Sequence, residues 1–487
     1  MAAKLRDGHE KILKINPEWR VYILGVILLV ALTICSRNFG DRGGPYFMAS
    51  LTLAGVVYLL AVREFFRGRA RATRRFPRRV VVIGLILAAV WHVEFLRLPP
   101  GPDDDVHRYV WDGRLQRLGH NPYLVIPSDP AVESLHTPET RNLNNPDLPS
   151  PYPPGAQLFF RAVTAIHESV FAFKVAFVVC DLGIALVLLD VLRRSRQPAY
   201  LVLAYAWNPL LAIEVAGSGH IDIVGALLLV ISVAALARRW RAVAAVAFGL
   251  AVAVKFLPIV LLPLYWKRVR IRDAALAAAG VALLYVPFLN HGRIPFGSLG
   301  TYVQSFRFNG PVFAALAHVA PPQLLAGLAL LVGLVTATGV RMRSAALERF
   351  PGKTSTAEGS EFHGEDATAF SLCNSVSPVV PGFEFVWPMA ATLLCAPVVF
   401  PWYLLWLLPF LTSSSTLPVA VWTVSIIAVY IQWHLRTLGH PWGSLPGWIM
   451  TLEYGCVAVA GAILALRRCL LTKAISKPGD FARRLQL

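Results

Sequence analysis

The chain has 487 residues, of which 56% are hydrophobic and 15% are charged, and its mean hydropathy is +0.56. This composition excludes an ordinary soluble globule and a disordered chain. Apolar runs recur from Val21 to Leu466, and each is about long enough to cross a hydrocarbon layer of about 30 Å. The sequence therefore predicts an all-α fold, that of a polytopic helical membrane protein.

The net charge of +18 raises the question of a nucleic-acid partner. The Lys and Arg residues, however, fall in short clusters between the apolar runs, at residues 63–79, 193–196, 238–241 and 267–272. Such spacing is typical of a topology signal and of contact with anionic lipids. The expected partners therefore include membrane lipids and no nucleic acid.

The first apolar runs set the orientation of the chain. Residues 1–19 are polar and basic, which predicts a cytoplasmic N-terminus. Spans are expected at 20–34, 46–62 and 80–96, with the most basic loop of the protein between the last two. The loop that follows, residues 97–170, should then lie on the outer face and carry interfacial helices.

Two later stretches predict broken helices. The stretch 242–266 is long enough for one crossing, yet both of its ends are basic. We therefore expect two half-helices that meet near Lys255 and Pro258, with Lys255 directed into a cavity. A second broken segment is expected at 386–411, with the sequence PWY at its tip.

The remaining apolar runs predict ordinary spans. The total is about ten full crossings plus the two broken segments, or about 10–14 transmembrane or re-entrant helices, with both termini cytoplasmic. These spans are expected at 171–192, at 200–215, in a run that ends at Arg238, and at 274–289, 324–340, 417–433 and 445–466.

Three parts of the chain follow from this pattern. Residues 1–340 form a transmembrane module that includes the outer loop. Residues 341–385 are rich in Ser, Gly and Glu and show no hydrophobic period, which predicts a flexible cytoplasmic linker. Residues 386–487 add C-terminal transmembrane helices and a basic tail.

The outer loop begins with three adjacent carboxylates, Asp103, Asp104 and Asp105. One of them can cap the amphipathic helix expected at 106–118, but capping does not explain three. Like charges crowded at a membrane surface favour a base or an ion ligand. Arg108 follows three or four residues later, where it can sit over these carboxylates and hold one ionised.

The predicted topology brings further ionisable side chains to the same face. Carboxylates together with His, Arg and Lys suit a reaction that removes a proton from a hydroxyl and expels a phosphate. His220 and Asp222 are equally explained as a packed histidine and a helix cap. Lys255 can be a snorkelling side chain. Trp402 and Tyr403 can be anchors at the membrane interface.

An ordered succession of segments is similar to the GT-C superfamily of polytopic glycosyltransferases. It is nearest to bacterial polyprenyl-phosphate-mannose-dependent mannosyltransferases. The resemblance runs from about residue 100 to 411 and rests on DDDVHRYVWDGRLQRLGHNPY, SPYPPGAQLFF, NPLLAIEVAGSGHIDIVGALL, AVKFLPIVLLP, SFRFNG and FPWYLLWLLP.

The resemblance implies a lipid-phosphate donor, an inverting transfer, and an acidic motif in the first large outer loop whose Asp is the catalytic base. Asp104 and Asp105 occupy that place. The family also implies cations at the donor phosphate, for which His220, Lys255 and Arg307 are the candidates by position. The third Asp of the cluster leaves open which one is the base. It also leaves open whether a divalent cation, Mg²⁺ or Mn²⁺, bridges the cluster.

Taken together, the pattern and the resemblance predict an integral-membrane hexosyltransferase, with mannose as the expected sugar, in the bacterial cytoplasmic membrane. It would use a polyprenyl-phosphate donor and a lipid or glycan acceptor on the extracytoplasmic face. The rival prediction is a transporter or flippase of a glycolipid or polar solute. The expected catalytic residues are Asp103, Asp104 and Asp105, and the expected substrate-binding residues are Arg108, Tyr109, Arg114, Asn121, Tyr123, Tyr152, His220, Asp222, Lys255, Arg307, Trp402 and Tyr403.

Overall fold

The computed structural model describes residues 16–70, 76–101, 104–141, 143–349, 382–443 and 445–475. Its elements are α-helices, short 3-10 helices and one π-helical segment, and no β-strand occurs among the described residues. The expected all-α class is confirmed.

The N-terminal part contains the 97–170 loop and the helices around it. A π-helical segment, Leu211–Gly217, precedes α8. The α-helices are α1 (Pro17–Arg37), α2 (Pro45–Ala70), α3 (Arg78–Leu96), α4 (Val106–Arg117), α5 (Pro154–Ile166), α6 (Val170–Arg194), α7 (Leu203–Ala206), α8 (Asp222–Ala237) and α9 (Arg241–Val254).

The C-terminal part continues the bundle. Short 3-10 helices join several of its elements, the most relevant to the site being Pro401–Trp406. The α-helices are α10 (Leu262–Tyr265), α11 (Ile271–Leu284), α12 (Leu299–Ser305), α13 (Pro311–Leu316), α14 (Pro322–Arg349), α15 (Val386–Cys395), α16 (Leu417–Ser425), α17 (Ile431–Thr437) and α18 (Gly447–Ile475).

Eight helices of the described part are long and apolar enough to cross a membrane. Their outward faces are apolar as well: α1 buries Leu28 and Leu32 but exposes Val26 and Val30 by about half. Such an exposed face needs lipid around it, so the chain is a multi-pass membrane protein. These eight helices match eight of the ten expected full crossings; of the other two, the run that ends at Arg238 contains only α8, which is shorter than a full span, and the run at 200–215 is bent.

The span expected at 200–215 is wrong as a single straight helix. The segments Ala199–Ala206 and Leu211–Gly217 are bent against each other by 67°. Pro209 lies between them and cannot donate a main-chain hydrogen bond, which favours a break there. The bend carries Glu214 and the residues after it into the interior of the bundle.

The break expected near Lys255 is confirmed. Helix α9 ends at Val254, and Lys255 has an extended backbone with φ −157° and ψ 141°. A 3-10 helix that contains Pro258 follows. The second break is also present, because α15 ends at Cys395 and the chain resumes as a 3-10 helix at Pro401.

The boundary expected at residue 341 falls inside a helix. Helix α14 continues to Arg349, so the start of the expected linker is helical. The rest of that linker, residues 350–381, lies outside the described residues.

The described residues of the 97–170 loop form a packed layer. Helix α4 lies against α5. Trp111 stacks on His136 with ring centroids 4.0 Å apart. Arg114 and Arg117 both pair with Glu168, at 2.6 Å and 2.8 Å. This layer fixes the N-terminal end of α4, which is where the acidic cluster lies.

Candidate active site

A cavity of about 690 Å³ opens beside the N-terminal end of α4. Its wall is largely aromatic, with charged side chains on several sides. Its lining residues are Asp104, Asp105, Arg108, Leu143, Asn144, Asn145, Pro146, Leu148, Pro149, Pro151, Tyr152, Pro153, His220, Lys255, Phe256, Ser298, Leu299, Tyr302, Phe306, Phe400, Trp402, Tyr403, Trp433, Arg436 and Trp442.

Asp104 is held by a partner from a distant part of the chain. Its Oδ1 accepts a hydrogen bond from Arg42 Nη1 at 2.8 Å, and its Oδ2 accepts one from the Gly101 amide at 2.6 Å. Both side chains of the ion pair are buried. Arg42 also donates to Ser218 Oγ at 2.8 Å, so it ties the acidic cluster to the bent segment.

Arg108 does not hold the acidic cluster, so that expectation was wrong. Its Nε donates to Asp112 at 3.0 Å, one helical turn further along α4. Its Nη2 donates to the Leu148 carbonyl oxygen at 2.9 Å. Asp104 and Asp105 accept hydrogen bonds from Arg42 and Asn144, respectively, and the guanidinium of Arg108 pairs with the buried Asp112 instead. Arg108 still lines the cavity.

Asp105 lines the cavity, and its hydrogen-bond partner is an uncharged side chain. It occupies the N-cap position of α4, but its side chain makes no capping hydrogen bond. Its Oδ1 instead accepts from Asn144 Nδ2 at 2.5 Å. Its side chain is half-buried, whereas that of Asp104 is buried. The capping explanation therefore fails for this carboxylate.

The Tyr152 hydroxyl lies next to Asp105. Burial raises its pKa well above the usual range, and the negative charge of Asp105 raises it further. The phenol therefore stays protonated at neutral pH and can donate to the carboxylate. Together with Asn144, it fixes the orientation of Asp105.

Lys255 stands on another side of the cavity. Its Nζ lies 2.7 Å from Asp222 Oδ1 and 3.8 Å from the centroid of the Tyr403 ring. The same Asp222 oxygen accepts from Trp406 Nε1 at 2.7 Å. Asp222 is buried behind the wall, so it positions Lys255 and does not itself line the cavity.

His220 lies between a carboxylate and a stack of rings. Its Nδ1 is 2.9 Å from Glu214 Oε2. Its ring stacks on Trp402 with centroids 4.0 Å apart and an interplanar angle of 9°. Trp402 in turn stacks on Phe400 at 4.3 Å. The other Glu214 oxygen accepts from the Tyr430 hydroxyl.

Three expected substrate-binding residues contact other parts of the protein rather than the cavity. The Tyr109 ring stacks on Phe160 at 4.5 Å and is buried. The Asn121 amide donates to the Phe288 carbonyl oxygen at 2.8 Å. The Tyr123 hydroxyl donates to the Tyr152 carbonyl oxygen at 2.7 Å. These contacts shape the loop, and none of the three side chains lines the cavity.

Two expected cationic residues also lie away from the cavity. Arg114 donates to the Leu135 carbonyl oxygen at 2.8 Å and pairs with Glu168. Arg307 donates to carbonyl oxygens at the end of α12, including that of Phe306 at 2.5 Å, and lies over the Phe313 ring. Helix C-termini attract cations, which explains why Arg307 turns back toward α12.

Several residues of the site were not predicted. Arg42 lies in a short loop between the first two spans, and no sequence signal marked it. Tyr302 meets Tyr403 through a hydroxyl contact of 2.5 Å. Asn144 and Arg436 complete the wall. Their contacts join segments far apart in the chain, and sequence spacing does not reveal such contacts.

A metal site was left open by the sequence. Within the described ranges, no group of three or more His, Cys, Asp or Glu side chains is arranged to hold a metal ion. Asp103, the third member of the acidic cluster, lies outside the described residues. The Mg²⁺ or Mn²⁺ alternative therefore stays a prediction.

Residues 30–270 match the model of the MptA_B family, described as alpha-(1->6)-mannopyranosyltransferase, N-terminal domain. This match supports a GT-C-like mannosyltransferase. The expected resemblance to a GT-C-like mannosyltransferase is thereby confirmed. No curated protein and no solved structure matches the chain.

The matched range contains one side of the mannosyltransferase's cavity. It includes Asp104, Asp105, His220 and Lys255, whereas the aromatic residues 400–403 come from beyond it. The cavity is thus completed by C-terminal segments that pack against the matched domain.

Proposed function

We propose that this mannosyltransferase moves mannose from a polyprenyl-phosphate donor to a hydroxyl of a lipid or glycan acceptor, with inversion at the anomeric carbon. The observation that carries the proposal is the composition of the cavity. Asp105, a carboxylate with neutral partners, lines the same space as His220 and Lys255. Deprotonation of an acceptor and stabilisation of a leaving phosphate require such a combination.

Asp105 is the proposed base. It takes the proton of the acceptor hydroxyl, whose oxygen attacks the anomeric carbon from the side opposite phosphate. The bond from that carbon to the phosphate oxygen breaks, and its electron pair leaves with polyprenyl phosphate. A β-linked donor thus gives an α-linked mannoside. Asp104 holds Arg42 and acts as a positioning residue.

The aromatic wall suits a sugar and a lipid tail. Trp402, Phe400 and Tyr403 present ring faces and edges beside the two basic groups. Apolar C–H faces of a hexose pack on such rings, while its hydroxyls need a few convergent polar groups. A polyprenyl chain needs an apolar path from the bilayer, which a cavity between transmembrane helices provides.

The position of the basic residues supports an extracytoplasmic site. Helix α8 begins at Asp222, beside the cavity, and ends next to Arg238. Helix α6 begins at Val170, whose amide donates to Glu139 of the outer loop, and ends at Arg194. The cationic ends of both helices face away from the cavity. The positive-inside rule therefore favours a cavity on the outer face of a bacterial cytoplasmic membrane.

A reconstituted transfer assay tests the function. Full-length protein in proteoliposomes receives polyprenyl-phosphate-[14C]mannose and octyl α-mannoside as the acceptor probe. The proposal predicts a labelled disaccharide glycoside with a new α-linkage. If the labelled donor instead crosses the bilayer and no glycosidic bond forms, the transporter hypothesis replaces the enzyme.

A further inference from the structure

Glu214 is a buried carboxylate inside the bundle, and it does not line the cavity. It lies in the π-helical segment Leu211–Gly217 and is 1% exposed. One of its oxygens accepts from the Tyr430 hydroxyl, and the other lies 2.9 Å from His220 Nδ1. An ionisable group retained at such a position is expected to serve a function, since burying it is costly.

The orientation of the His220 ring follows from its neighbours. Trp402 covers one face of the ring, and Glu214 occupies the Nδ1 side, where the Glu214 carbonyl oxygen also lies, at 3.3 Å. The ring nevertheless lines the cavity. Because Nδ1 is turned toward Glu214, Nε2 is the nitrogen left to face the cavity. A carboxylate beside one ring nitrogen fixes the tautomer and the direction of the other.

Charged groups from several elements surround this pair. Asp104 and Asp105 act on His220 from the start of α4. Arg42 acts on Glu214 from the loop after α1. Lys174 of α6 packs against Gly219, next to the histidine. Burial of the ring opposes a protonated imidazole, whereas the carboxylates favour it. Glu214 is the carboxylate nearest to the ring.

The proposed transfer adds negative charge to the leaving phosphate. A mannosyl phosphodiester carries one negative charge, whereas the polyprenyl phosphate that leaves carries two, and the acceptor proton goes to Asp105. A cation at the leaving oxygen is therefore more useful in the transition state than in the ground state. We propose that Glu214 is a positioning residue that keeps His220 protonated, with its Nε2–H toward the cavity and the leaving phosphate. This inference rests on the proposed function and names the group that stabilises its leaving phosphate.

The pH profile distinguishes this role from a structural one. As the pH increases, activity should first rise, because the base loses its proton, and then fall, because His220 loses its proton. Glu214→Gln removes the negative charge that favours the imidazolium, so the alkaline limb should move to lower pH by about one unit or more. A structural role alone would lower activity equally at every pH.

The experiment measures kcat and KM against pH for full-length protein in nanodiscs, with polyprenyl-phosphate-[14C]mannose and octyl α-mannoside. The variants are Glu214→Gln, Glu214→Asp and His220→Gln. The matched control is Glu453→Gln. Glu453 is also buried and accepts two hydrogen bonds, from Trp422 at 2.7 Å and Asn309 at 2.9 Å, but it does not line the cavity.

We expect Glu214→Gln to lower kcat about tenfold or more near neutral pH, with little change in KM for the donor, and to shift the alkaline limb. Glu214→Asp keeps the negative charge, so its alkaline limb should lie between that of Glu214→Gln and that of wild type. Glu453→Gln should have the same alkaline limb as wild type. If Glu214→Gln is active and keeps the wild-type alkaline limb, the inference is overturned, whereas the proposed transferase function is not. A wild type that forms no mannoside overturns the proposed function itself.

His220→Gln provides a second test if Glu214→Gln does not fold. It removes the titrating group, so the alkaline limb should disappear and kcat should fall about 100-fold. A His220→Gln variant that keeps the wild-type limb would show that another group titrates, which overturns the inference.

Discussion

The buried ion pair between Arg42 and Asp104 allows the sharpest prediction about stability. The two side chains are 7% and 5% exposed, and their N and O atoms are 2.8 Å apart. Breaking a buried pair by removing one partner costs about 3–5 kcal/mol, because the other charge stays buried without compensation. Arg42→Met and Asp104→Asn should each therefore reduce the free energy of unfolding by about 3 kcal/mol or more.

The double variant separates the pair from its surroundings. Arg42→Met with Asp104→Asn leaves neither charge in the site, so its cost should be smaller than the sum of the single costs by about 2 kcal/mol or more. Unfolding is measured by sodium dodecyl sulfate titration of purified protein in mixed micelles, followed by tryptophan fluorescence. The coupling energy is the difference between the double and single variants.

An exposed ion pair supplies the matched control. Arg79 and Glu18 are 2.6 Å apart, but the Arg79 side chain is 68% exposed. Solvent screens such a pair, so the same double-variant cycle should give a coupling that cannot be distinguished from zero. If the losses in free energy of unfolding caused by Arg42→Met and Asp104→Asn simply add in the double variant, the account of this ion pair is refuted. A large coupling energy between Arg79 and Glu18 would refute the argument that burial makes the difference.

Two further predictions concern Lys255 and the packing behind it, where Trp406 donates to Asp222, the partner of Lys255. Lys255→Met should lower kcat about 100-fold per folded molecule in the transfer assay, because it removes a cation beside the proposed phosphate site, and an unchanged kcat would contradict that role. Gly225→Ala should lower both stability and kcat, since its new Cβ would lie 2.0 Å from the Trp406 ring, whereas Gly280→Ala, with nothing within 4 Å, should leave kcat unchanged. Equal behaviour of the two glycine variants would contradict the packing argument.

The sequence predicted the parts of the site that depend on local signals. Lys255 lies in the apolar stretch 242–266, whose two ends are both basic. A charged side chain inside such a stretch favours a broken helix at the wall of a cavity. The PWY tip begins with Pro401, which cannot continue a helix ladder. The acidic cluster at the start of α4 is crowded enough to suggest function without any contact information. Each of these inferences used neighbours within a few residues.

The sequence did not predict contacts between distant segments. Arg42 reaches Asp104 across 62 positions, so spacing on one helix could not suggest the pair. Arg108 pairs with Asp112 rather than with the acidic cluster, and spacing along one helix allows either partner. The bend before Glu214 was missed because the hydropathy of the run outweighed the signal of Pro209. Long-range packing decides these features, and a hydropathy pattern does not contain it.

The central claim is that Asp105 is the base of a mannosyl transfer. The most direct measurement is kcat for transfer from polyprenyl-phosphate-[14C]mannose to octyl α-mannoside by wild type, Asp105→Asn and Asp104→Asn, each corrected for folded protein. The account predicts that Asp105→Asn lowers kcat by about 100-fold to 10,000-fold, and that Asp104→Asn acts mainly through stability. Full kcat in Asp105→Asn, or a larger loss of kcat in folded Asp104→Asn, would contradict it.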